Sequence, residues 1–102
     1  MIEVNVDDID HCIEQALSLR NKEVILNHPT APYVEIVFLK AFSQLQERYG
    51  LPAYPLRKGA DKLPKGLKKI FRLMAVWELP ERQITIRMEA IEGRKFVFLT
   101  CC

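Results

Sequence analysis

Three apolar-alternating runs fill the last third of the chain, and the connections between them are too short for anything but hairpins. Phe71, Leu73, Ala75, Trp77 and Leu79 alternate with Arg72, Met74, Val76 and Glu78. Ile84, Ile86, Met88 and Ala90 alternate with Thr85, Arg87 and Glu89, and a last run covers Phe96 to Thr100. A period of two puts successive side chains on opposite faces of a strand. Pro80-Glu81-Arg82 and Glu92-Gly93-Arg94 are turn-length links, so the three strands form an antiparallel meander with one face buried and the other partly wet.

Upstream, the pattern changes to a helical period. Ile2, Val4 and Val6 alternate with Glu3 and Asn5, a short strand, after which Asp7 and Asp8 offer carboxylates for a helix N-cap. Ile9, Cys12, Ile13, Ala16 and Leu17 then fall on one helical face. Residues 23 to 26 are read as the end of this helix, which Asn27-His28-Pro29 breaks. Thr30 is the expected cap of a second helix with Pro32 in its first turn. Val34, Val37, Phe38, Ala41, Phe42, Leu45 and Tyr49 form its apolar stripe, and Gly50 ends it. The expected fold class is α+β: two helices packed on one face of a three- to four-stranded, mainly antiparallel sheet, in the order β-α-α-β-β-β.

The 102 residues, 49% apolar and 27% charged, suit a single domain spanning 1–102. No apolar stretch approaches the roughly 18 to 20 residues of a membrane span, and acids stand where a signal peptide carries Lys or Arg. Three cysteines, Cys12, Cys101 and Cys102, lack disulfide-framework spacing and are read as free thiols in a reducing, cytoplasmic setting. The terminal Cys pair is read as a strand end, since no targeting context points to lipidation.

Charge is the second informative feature. Residues 57–72 hold seven cations, Arg57, Lys58, Lys62, Lys65, Lys68, Lys69 and Arg72, against one acid, Asp61. That local +6 stands on a chain of net +2, so the remainder sums to −4. A concentrated positive field favours polyanions or acidic protein surfaces as partners. From 51 to 69 the chain also has three prolines and two glycines, which reads as a loop, and a loop of that length tends to carry function.

Motifs for specific chemistry are missing. Lys58-Gly59 and Lys65-Gly66 place glycine after lysine, the reverse of a phosphate-binding loop. His11 and Cys12 are adjacent and diverge on a helix, His28 stands alone beside a proline, and no Cys-x-x-Cys or His-x-x-x-His spacing exists. Neither a metal nor another cofactor is expected, and no nucleophile–base pair is visible. Asp7-Asp8 and Glu89-Glu92 have plain roles as a cap and as surface charge. Pro29-Thr30-Ala31-Pro32 matches a short adaptor-binding motif, but such motifs act in disordered segments, and here it leads into a helix.

The order β-α-α-β-β-β, the basic loop before the meander and the arginines on its strands resemble the small ribonuclease toxins of the RelE and HigB type. The likeness implies an RNA-directed, metal-independent ribonuclease. Lys65, Lys68, Lys69, Arg72 and Arg87 would then hold the RNA phosphate and stabilise charge on it during cleavage. Toxins of this type commonly carry further basic or aromatic residues after the last strand, where this sequence ends at Cys102.

Three functions follow as expectations. The leading one is a non-enzymatic binding or regulatory module. Its basic segment 57–72, with Arg87 on the adjoining sheet, engages an acidic protein surface or an identical subunit's acidic N-terminal helix. The second is an RNA binder or ribonuclease of the type just named. The third is a small-ligand carrier with an apolar pocket lined by Phe38, Phe42, Trp77 and Met88.

Overall fold

The computed structural model describes residues 2–31, 33–53 and 71–102. Its elements follow the order β1 (Glu3–Asn5), α1 (Ile9–Ser18), β2 (Glu23–Asn27), α2 (Val34–Tyr49), β3 (Phe71–Glu78), β4 (Gln83–Ile91) and β5 (Arg94–Cys101). The α+β class is as expected, but the order is not. Residues 23–27 form a strand between the helices, and the sheet has five strands in the order β1-β2-β5-β4-β3. Propensity at Glu23-Val24-Ile25-Leu26 is balanced between helix and strand; what decides is the free edge of β5, which β2 pairs from Glu23↔Thr100 to Leu26↔Val97. The sheet is therefore mixed, with β1 and β2 parallel and every other neighbouring pair antiparallel.

The start of α1 and the end of α2 have identifiable causes. Asp8 caps α1, its side chain accepting from the His11 N–H at 3.1 Å, which satisfies one of the donors a helix start leaves open. The chain turns into β2 through Lys22 in the left-handed region, φ 58°. The second helix starts later than Thr30 predicts: Tyr33 occupies the cap position without a side-chain cap bond. Thr30 is engaged elsewhere. Gly50, at φ 79°, ends α2, and its N–H returns to the Gln46 carbonyl, a conformation glycine adopts without a Cβ penalty.

The core lies between the helices and one sheet face. Ile9, Cys12, Ile13 and Ala16 from α1 and Val37, Phe38, Ala41 and Leu45 from α2 meet Val24, Leu26, Ala75, Trp77, Ile84, Ile86, Met88, Val97, Leu99 and Cys101. The helix positions and Ala75, Trp77, Ile84, Ile86 and Met88 are those that the two periodicities selected, whereas Val24 and Leu26 lie in the stretch read as a helix end. The opposite face alternates with them and carries Ile25, Val76, Thr85, Arg87, Glu89, Phe98 and Thr100 by register. One irregularity interrupts the meander: β3 and β4 pair as Phe71↔Glu89 and then Leu73↔Met88, so register shifts between Phe71 and Leu73. A single alternation through 71–79 does not hold across that bulge.

Candidate functional site

The basic segment is bracketed by well-defined anchors. Trp77, buried in β3, donates from Nε1 to the Gly50 carbonyl at 2.9 Å, and the Ala53 N–H donates to the Val76 carbonyl at 2.8 Å. The end of α2 is thus tied to the outer side of edge strand β3, and the chain re-enters the sheet at Phe71, the start of the same strand. Arg57, Lys58, Lys62, Lys65, Lys68 and Lys69 lie outside the described residues, and Arg72 is placed only through its backbone in β3.

Arg87 is described fully, and it is occupied. Its Nη2 lies 2.7 Å from Glu23 Oε2, its Nε 3.5 Å from Glu89 Oε2, and its Nη1 donates to Thr100 Oγ1 at 3.0 Å. Thr100 Oγ1 in turn donates to Glu23 Oε2 at 3.2 Å. The guanidinium carbon stands 4.5 Å from the centroid of Phe98, its direct partner on β5, within cation–π range. Arg87, Glu23 and Glu89 side chains are 18%, 19% and 25% exposed, so this network is only thinly screened by water. It joins β2, β5 and β4 on the face away from the helices.

Three further cations among the described residues face carboxylates. Arg48 lies 3.0 Å from Asp10, Lys95 3.1 Å from Glu35 and Lys40 4.0 Å from Asp7. Asp7 and Asp10, two of the five acids in the first fourteen residues, thus meet a cation of the same chain.

Asp7 belongs to a cluster that the sequence reading missed. His28 Nε2 lies 2.7 Å from Asp7 Oδ2, while His28 Nδ1 sits 3.2 Å from the Thr30 N and 3.0 Å from Thr30 Oγ1. A backbone N–H can only donate, so Nδ1 carries the lone pair and the neutral ring donates from Nε2 to Asp7. The ring is 11% exposed and bridges the link after β1 to the turn after β2. The local signal was the tripeptide His28-Pro29-Thr30, in which a side-chain acceptor two residues before a free N–H closes an Asx-like turn. Asp7 was unforeseeable as a partner because it comes from the link after β1, the parallel neighbour of β2.

The proposed carrier pocket is filled by its own lining. Phe38, Trp77 and Met88 are buried, Phe42 packs half-buried against them, and the Phe42 ring lies 5.5 Å from Trp77 and 6.5 Å from Phe38. A groove of about 590 Å³ lies elsewhere, shallow and open, lined by Ile2, Leu19, Arg20, Asn21 and Glu23.

Cys12 and Cys101 are buried free thiols, and Cys102 is exposed. Burial pushes Cys12 up to about 12, with Asp8 adding to the shift, and burial pushes Cys101 up to about 11. Neither is a nucleophile near neutrality, since the thiolate is the reactive form. Among the described residues, no three His, Cys, Asp or Glu side chains gather to hold a metal ion, and no helix is long and apolar enough to cross a membrane.

No protein-family model, no curated protein and no solved structure matches this chain.

Proposed function

We propose that this chain is a small non-enzymatic binding module of the cytoplasm whose basic segment 57–72 engages an acidic protein surface. The observation that carries this reading is the partition of charge. Arg48, Lys40, Lys95 and Arg87 each face a carboxylate within the folded body, whereas the segment holds seven cations and one acid. Excess positive charge is therefore concentrated between α2 and β3 in the sequence, where it steers association with acidic partners.

Two relatives of this reading fare less well. Self-association through the N-terminal acids requires Asp7 and Asp10 to leave Lys40 and Arg48, which offsets part of the attraction. The ribonuclease reading requires Arg87 to leave Glu23 and Glu89 for a phosphate. It also drew on two consecutive helices, and β2 stands between them.

Binding measured from about 50 to 200 mM salt, against an acidic polypeptide and against single-stranded RNA, tests the proposal. Tighter, salt-sensitive binding to the polypeptide is expected. Tighter binding to RNA, with log affinity falling about 0.7 per phosphate contact against log salt, would replace it with the nucleic-acid reading.

A further inference from the structure

His28 holds two helix lead-ins at once, and its two nitrogens answer oppositely to a proton. In the neutral ring, Nδ1 accepts the Thr30 N–H at 3.2 Å and Nε2–H donates to Asp7 at 2.7 Å. The first contact shapes the turn that leads into α2, in which the Ala31 N–H also returns to the His28 carbonyl at 3.3 Å. The second pulls on the connection leading into α1, whose cap is the next residue, Asp8.

A proton added to the ring must go to Nδ1, because Nε2 already carries one. Nδ1–H then meets the Thr30 N–H head-on, and two donors cannot bond each other. The Thr30 hydroxyl can turn and accept from Nδ1–H across its 3.0 Å separation, but the backbone N–H is left without its protein acceptor. At Nε2 the effect is reversed: a neutral donor becomes a charge-assisted one facing the Asp7 carboxylate.

We propose that His28 is a proton-controlled latch between β1–α1 and β2–α2: neutral, it closes the turn into α2, and protonated, it releases Thr30 while gripping Asp7 harder. The charged groups that face it are Asp7 from the link after β1 and Lys40 from α2, which stands 4.0 Å from the other Asp7 oxygen. On the strands, Glu3 is held at 3.1 Å by Asn27, next to His28 in sequence. Lys40 draws Asp7 toward α2, so a tighter His28–Asp7 pair competes with that contact. The outcome is a pH-dependent start to α2, the helix whose other end leads into the basic segment.

Residue-resolved NMR of the full chain tests this directly. At high pH the ring ¹⁵N shifts of His28 are expected to report an Nε2–H tautomer. As the ring protonates, Thr30 amide protection, corrected for the intrinsic pH dependence of exchange, is expected to fall about fivefold, the worth of one ordinary hydrogen bond, with the midpoint of the ring itself. The variant His28→Asn keeps a side-chain acceptor for the Thr30 N–H but cannot titrate, so its Thr30 protection should stay level over the same range. An Nδ1–H tautomer at high pH, a Thr30 response with a midpoint other than that of His28, or an unchanged response in His28→Asn would each overturn the proposal. Should His28→Asn fold poorly, the wild-type tautomer and midpoint still decide it.

Discussion

Arg87 Nη2 and Glu23 Oε2 stand 2.7 Å apart although 64 residues separate them in the chain, and the strand between them, β5, adds Thr100 and Phe98 to the same contact. The bond is structural in effect: it clamps β2, whose strand character is weak, onto the meander. Replacing Arg87 with Ala leaves Glu23 and Glu89 facing each other's field with little water, and should cost about 2 to 4 kcal/mol. Urea unfolding measures this. A double variant, Glu23→Gln with Arg87→Met, should cost less than the single one, because one carboxylate, Glu89, rather than two is left without its cation.

Trp77 should be intolerant of loss of its indole nitrogen. Trp77→Phe keeps an aromatic ring beside Phe42 but removes the donor to Gly50 and some core volume. A loss of about 2 kcal/mol is expected, with the end of α2 showing the largest gain in amide exchange.

The β4–β5 turn offers a stabilising change. Glu92 has φ 51° and Gly93 φ 80°, the pair of positive angles of a type I′ hairpin turn, in which Asn-Gly is the preferred dipeptide. Glu92→Asn should raise stability by about 0.5 to 1 kcal/mol, whereas Gly93→Ala should lower it by about 1 kcal/mol although nothing lies within 4 Å of its new Cβ. Thermal melts of the two variants should move in opposite directions.

Thiol titration predicts loss of stability in alkali. Burial raises Cys12 to about 12 and Cys101 to about 11, while an unfolded thiol ionises near 8.5. Between those limits the unfolded chain releases protons that the folded one keeps, so stability is full below pH of about 8.5 and falls as pH rises. Each thiol contributes a slope approaching about 1.4 kcal/mol per pH unit. Urea midpoints at pH 8 to 10 should decline more steeply for the wild type than for Cys12→Ala/Cys101→Ala, and at pH 8 iodoacetamide should label Cys102 alone.

Charge reversal separates binding from folding. On the sequence expectation that 51–69 is a solvated loop, changing Lys65, Lys68 and Lys69 together to Glu should shift stability by less than about 1 kcal/mol, since solvated loop charges contribute little, while abolishing salt-sensitive capture of acidic polypeptide. A triple variant that unfolds would make the segment a structural element and remove the basis of the proposed function.

Periodicity was enough to identify α1, α2, the three-stranded meander and many of the residues that bury, because Ile9 to Ala16, Val37 to Leu45 and Ile84 to Met88 each repeat at the period of their own backbone; it did not reveal buried Val24 and Leu26 as strand positions. Arg87 was legible as a face-outward position of β4, but its ion pairs were not, since Glu23 reaches it only after β2 has docked beside β5. Thr30 looked like a helix cap by residue type; the nearby His28 ring drew it into a turn instead.

What the order of residues settled alone was local: which stretches are amphipathic, at what period, and where positive charge is concentrated. Three things waited for the assembled sheet: that 23–27 is a strand, that Arg87 is neutralised, and that Asp7 meets His28. Each joins segments far apart in sequence, and such contacts become favourable only when packing has already met the entropy of bringing the segments together.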